Sequence, residues 1–230
     1  MISDDPRLPY PLQLTRLRRS RRLRLRIDHE RRLLRLTMPW RGSTQRAIDW
    51  VAGQRAWIDR QLGAAPPSSP YADGALIPFE GRPLTIRHVP TRRRGVMLDG
   101  DALIVGGPAE SLGGAVERWL KAQARDRLSA ETARIAATAG VSVRSVSIGD
   151  AASRWGSCSS SGAIRYSWRL VLAPPEVLRF VVAHEVAHRL HMDHSPAFKA
   201  AEQRLFGGPV MAARLELRRL GPSLRAVGRN

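Results

Sequence analysis

Between Arg21 and Ile27 basic and apolar residues alternate, with Leu23, Leu25 and Ile27 on one side and arginines on the other, the period-two pattern of a half-buried strand. Asp28-His29-Glu30 reads as a turn and Arg32 to Met38 as the returning strand, so a hairpin is predicted whose arginines face solvent and guard a sheet edge. After Pro39, Ser43 or Thr44 can cap a helix with Ile48, Val51, Ile58 and Leu62 on one stripe. Gly63 to Pro70, containing Pro66-Pro67-Ser68-Ser69-Pro70, reads as a linker. Short strands are predicted around Leu76 to Phe79, Leu84 to Val89, Val96 to Leu98 and Leu103 to Val105, with turns at Glu80-Gly81, Arg94-Gly95 and Asp99-Gly100. Pro108 or Ser111 opens a long helix carrying Leu112, Val116, Trp119, Leu120, Ala124, Leu128 and Ile135 and ending near Gly140. Val141 to Ile148, Arg154 to Cys158 and Ile164 to Leu172 read as strands, and Pro174-Pro175 stops the last and starts another helix. No internal repeat stands out. The plan is α+β, a β-rich amino-terminal part followed by mixed helices and strands.

Composition narrows the function classes. No run of about 18 or more apolar residues exists, so no membrane-spanning helix is expected. Met1-Ile2-Ser3-Asp4-Asp5-Pro6 has neither a basic nor an apolar leader segment, and the expectation is a cytoplasmic protein. The single cysteine, Cys158, excludes an intrachain disulfide framework and a Cys-rich zinc knuckle. The formal net charge is +18, carried almost wholly by arginine, since Lys121 and Lys199 are the only lysines. GC-rich coding can produce such a skew by itself. The functional reading is attraction to nucleic acid or another anionic surface. Residues 1–62 hold 15 arginines against six acidic residues, which makes the amino-terminal part especially basic.

The chemistry is concentrated in His184-Glu185-Val186-Ala187-His188. On a helix the two histidines lie one turn apart on one face, where two imidazoles can grip one zinc ion. Glu185 lies about 100° round the axis from His184, too far to be a third ligand but near enough to act as general base on an activated water. The surrounding run Val177 to Leu190 is nearly all apolar, and an unpartnered Glu in such a helix is costly, so a bound cation is the simplest partner. Three residues compete as third ligand. His191 lies on the same helical face as His184 but about 10 Å along the axis, which makes sharing one ion awkward. Glu202 would be a carboxylate from the next helix. His194 immediately precedes Ser195-Pro196, a helix cap followed by proline in the first turn, so the chain can swing back toward the ion there. His194 is the preferred ligand, with His191 at the pocket rim.

The run Arg154-Trp155-Gly156-Ser157-Cys158, then Tyr166-Ser167-Trp168-Arg169-Leu170, Ala173-Pro174-Pro175 and His184 to His194 with Ser195-Pro196-Ala197-Phe198, resembles the YgjP-like metallopeptidase family. The resemblance implies a zincin-like metallopeptidase domain, Zn2+ held by His184, His188 and His194, Glu185 as the catalytic residue, and a peptide or protein substrate. It also implies kinship with SprT-type proteases, some of which act on DNA-bound proteins. The family usually has Asn where this chain has Ser167. On this reading residues 1–62 form a basic β-hairpin plus helix, 63–70 a linker, 71–107 a short-stranded β region and 108–230 the zincin-like catalytic region. Either Arg154 to Cys158 or Ile164 to Leu172 can be the strand on which a peptide adds by β-pairing. Arg154 and Tyr166 are candidates for stabilising an oxyanion. Trp168 reads as a core aromatic and Cys158 as a thiol without a catalytic part. The competing function class is a nucleic-acid-binding protein with a structural zinc, or a protease recruited to DNA.

Overall fold

Alternation near the amino terminus builds a four-stranded sheet, larger than the predicted hairpin. The computed structural model describes residues 2–28, 31–63, 69–151 and 154–229, and the chain divides into two units, Met1–Pro66 and Pro67–Asn230. In the first, β1 (Ile2–Ser3), β2 (Leu12–Leu17), β3 (Arg24–Asp28) and β4 (Leu33–Pro39) lie in the order β1-β2-β4-β3. Antiparallel β3 and β4 are the predicted hairpin, while β2 runs parallel to β4. The hairpin turn at His29-Glu30 and the linker residues 64–68 lie outside the described residues. Leu12, Leu14, Leu34, Leu36 and Met38 form the buried face and meet Ala47, Val51 and Ile58. Those three come from α1 (Thr44–Gly53) and α2 (Arg55–Gly63), two helices where one was predicted. Ser43 caps α1 by accepting the Arg46 N–H. The break falls at Gln54, after Gly53, a residue that costs roughly 1 kcal/mol in a helix interior.

The second unit starts with the predicted short strands: β5 (Leu76–Phe79), β6 (Arg82–Val89), β7 (Gly95–Asp99) and β8 (Ala102–Gly106), in the order β5-β6-β8-β7. Glu80 and Gly81 both take positive φ, 51° and 78°, the tight two-residue turn that suits the twist of a hairpin. The strand order, the parallel central pair and the antiparallel flanks match those of the first sheet, and each sheet is followed by helix. The chain therefore contains an internal structural repeat, which the sequence conceals. Alternation constrains only which positions are apolar, so two copies of one plan need share few identical residues.

After a 3₁₀ turn at Ala109–Ser111, α3 (Leu112–Ala139) runs to Gly140, whose left-handed conformation ends the helix as predicted. Its stripe Leu112, Val116, Leu120, Ala124, Leu128 and Ile135 is buried in one core with the second sheet and the carboxy-terminal helices. Next come β9 (Ser145–Gly149), β10 (Gly156–Cys158) and β11 (Ala163–Ser167), ordered β10-β11-β9. The third predicted strand ends early: Trp168–Leu172 is a fully buried 3₁₀ turn. A short apolar run signals burial without choosing between strand and helix. Arg169 fixes this turn, donating to both carboxylate oxygens of Asp150 and to the carbonyls of Leu224 and Val227. Three helices complete the unit: α4 (Pro175–Ala187), α5 (Pro196–Phe206) and α6 (Val210–Ala226). The fold is α+β, and among the described residues no helix is long and apolar enough to cross a membrane.

Candidate metal centre

Helix α4 is central because nearly every side chain from Val177 to Ala187 is apolar and buried. It ends sooner than its apolar pattern implies. His188 is the capping residue, and the Arg189, Leu190 and His191 amides bond back to Val186 and Ala187 carbonyls in a tight turn. The helix therefore stops at Ala187, and the helical spacing that set His191 on the His184 face does not extend to it. The turn returns the chain so that His194 stands beside the motif. Ser195 then caps α5 by accepting the Phe198 N–H at 3.3 Å, with Pro196 in the first turn.

The imidazoles of His184, His188 and His194 converge, with a ligating nitrogen from each within 4.8 Å of the others. His184 Nε2 and His194 Nε2 are 3.5 Å apart. A tetrahedral zinc with bonds of about 2.0–2.1 Å sets its nitrogens roughly 3.3 Å apart, close to the spacing of the His184–His194 pair, and three imidazole nitrogens are a donor set that suits such an ion. Two rings are oriented from behind. His184 Nδ1 lies 2.7 Å from Glu202 Oε1, and His188 Nδ1 lies 3.2 Å from the His191 carbonyl oxygen. Each bond holds the Nδ1 proton and turns a bare Nε2 toward the shared point. Burial lowers the proton affinity of His184 and His188, which favours the neutral form a metal needs.

Glu202 is therefore not beside the other nitrogens but behind His184. It is 2% exposed, and Arg214 from α6 donates to both of its oxygens at 3.1 Å. His191 contributes its backbone carbonyl. Sequence reasoning missed Arg214 and also Phe198, whose buried ring lies 4.5–5.1 Å from all three imidazoles and forms a common backing. The only signal for Phe198 was its place in the run after Ser195, and nothing in the sequence tied Arg214 to Glu202.

Glu185 is 5% exposed, and burial pushes its carboxyl up to about 7 against the pull of Arg154. A cation at the histidines opposes that shift. Strand β10 crosses directly over this side chain: a Cβ on Gly156 would meet Glu185 Oε1 and stand only 2.7 Å from its Cγ. Glycine is what lets the strand pass. In its sheet β11 is paired on both sides, while β10 and β9 each pair only with β11 among the described residues; of these two edge strands β10 is the one that lies over Glu185. A cleft of about 480 Å³ beside the site is lined by Trp155, Phe180, Val181, Leu217 and Arg218. A second hollow, of about 450 Å³, shares His184, Glu185 and His194 and adds Arg154, Cys158 and Met192.

Of the supporting candidates, Arg154 stays at the cleft. Tyr166 does not: it is 1% exposed and its hydroxyl pairs with Thr132 of α3, closed to a substrate. Trp168 is a core aromatic stacked by Arg169. Burial pushes the Cys158 thiol up, away from the reactive thiolate. Ser167 is buried, and its hydroxyl has no hydrogen-bond partner among the described residues.

A scan against protein-family models matches residues 21–219 to the YgjP-like metallopeptidase domain. Searches of curated proteins and of solved structures return no match.

Proposed function

Because the chain belongs to the YgjP-like metallopeptidase family, we propose that it hydrolyses peptide bonds with zinc held by His184, His188 and His194 and with Glu185 as general base, on a zincin-like framework. The observation that carries this reading is the convergence of three oriented imidazoles beside a buried carboxylate at an open cleft. Three nitrogen ligands leave a tetrahedral ion one free position, the arrangement of a catalytic rather than a structural site. Bound zinc supplies Lewis acidity, polarising a carbonyl and lowering the pKa of water.

The protein's own groups do the rest. Glu185 takes the proton of the attacking water and can return it to the leaving amine. The extended substrate pairs with the open edge of β10, which lies against Glu185. Arg154, at the cleft, is the residue placed to meet negative charge developing on the carbonyl oxygen.

The purified protein should contain about one zinc per chain, lose peptide cleavage on chelation and regain it when zinc is returned. Full cleavage by metal-free protein would sink the proposal. Gly156→Ala tests the strand's passage over the base. Pushing Glu185 aside by even about 1 Å should cost on the order of 100-fold in kcat/KM while zinc stoichiometry is kept. Unchanged kinetics would show that β10 has room to shift.

A further inference from the structure

The internal repeat supplies a control for the arginine content of this chain. Coding bias acts alike on both copies, yet their solvent-facing sheet surfaces differ. By strand alternation, the outer face of the second sheet carries Thr85, Met97 and Ile104, with Arg87 as its one basic strand residue. The corresponding face of the first sheet carries Arg24, Arg26 and Arg35 around Gln13, Thr15 and Thr37. With Arg19, Arg21 and Arg22 from the β2–β3 loop, these residues line a groove of about 730 Å³; the equivalent β6–β7 loop carries Arg92, Arg93 and Arg94, so the two copies differ in their strand arginines and not in their loops.

Stability does not explain this face. Arg26 stands directly across from Arg35, and like charges opposed on one face of a sheet are unfavourable. Asp28 pairs with Arg35, whereas Arg24 and Arg26 are exposed and have no carboxylate partner among the described residues. Between the arginines, Gln13, Thr15 and Thr37 add polar, uncharged side chains, with Leu17 and Leu36 also lining the groove. At the end of the sheet where parallel β2 and β4 both finish, Trp40 is 52% exposed, with the Arg18 guanidinium 5.5 Å from its ring centroid. An exposed aromatic at the end of a strand that also carries part of the arginine-lined groove offers what single-stranded nucleic acid requires: cations for consecutive phosphates and a flat ring for an unstacked base. No aromatic residue follows β8 at the equivalent end of the second sheet, where the chain continues Gly107-Pro108.

We propose that the outer face of the first sheet binds single-stranded nucleic acid, with Arg24 and Arg26 contacting phosphates and Trp40 stacking on a base. The site belongs to the first unit and does not depend on the histidine centre.

The test is fluorescence anisotropy of a labelled oligo-dT strand with the full-length chain across a salt series, with circular dichroism to confirm folding of each variant. Log affinity should fall linearly with log salt, at about −0.7 per phosphate engaged. The double variant Arg24→Gln/Arg26→Gln should flatten that slope by about 1.4, two phosphate contacts' worth. Trp40→Ala should weaken binding roughly 10-fold at unchanged slope. Arg87→Gln, on the second sheet, should change neither, and a chelator should not weaken binding. Absent binding at low salt, an unaltered slope in the double variant, a comparable loss in Arg87→Gln, or a loss on chelation would overturn the proposal. So would equal or tighter binding of duplex DNA or polyglutamate.

Discussion

Glu185→Gln is expected to lower kcat/KM for peptide cleavage by about 10³-fold, within the 10²–10⁴ range of general acid–base catalysis, while the variant keeps its zinc. The substitution preserves shape and removes only the ability to accept a proton. Glu185 does not touch the histidine cluster as a ligand, so metal content should match wild type. Its carboxyl is already driven toward the neutral form by burial, so a neutral amide there should not unfold α4. Metal analysis and steady-state kinetics on the same preparation decide the matter. A variant that retains zinc and full activity would remove Glu185 from the chemistry, and one that loses zinc would recast it as part of the metal cage.

The second large effect is expected at Glu202. This buried carboxylate holds His184 at 2.7 Å and is itself held by Arg214. Glu202→Ala removes the group that fixes which His184 nitrogen carries the proton and how the ring is turned. Zinc affinity should drop about 10- to 100-fold, measured by competition with a chelating dye. Glu202→Gln keeps an acceptor for His184 but loses the ion pair with Arg214, so it should fall between wild type and the alanine variant. Affinity unchanged in both variants would mean that the backing by Phe198 orients the ring alone.

Period-two and helical patterning located most elements, because burial on one face of a strand or helix writes itself into the spacing of Leu, Ile and Val. It succeeded for β3, β4, the four short strands and α3, with the caps at Ser43 and Gly140 supplied by local turn chemistry. It failed where apolar residues run without interruption. Trp168–Leu172 is buried on all sides and so carries no period, and the end of α4 lies inside a continuous apolar stretch. At the site, His184, Glu185 and His188 were legible because their spacing is dictated by one helix. His194 was legible from the Ser195-Pro196 cap behind it. Arg214, Phe198 and the His191 carbonyl were not, since each acts through a contact between elements that no local pattern encodes. The repeat escaped for a related reason: both sheets satisfy the same alternation with different residues.

The Ser195 cap ties together groups that otherwise look separate. Its hydroxyl accepts the Phe198 amide, so one hydrogen bond fixes the start of α5, the ring that backs the imidazoles, and the turn that carries His194. Fraying of that helix end and departure of the third imidazole are then a single local opening. On the proposed reading, zinc held by His194 would keep the first turn of α5 wound. Exchange of the Phe198 amide hydrogen with solvent should then slow when metal binds, a reporter of occupancy legible even in protein that has no substrate to cleave.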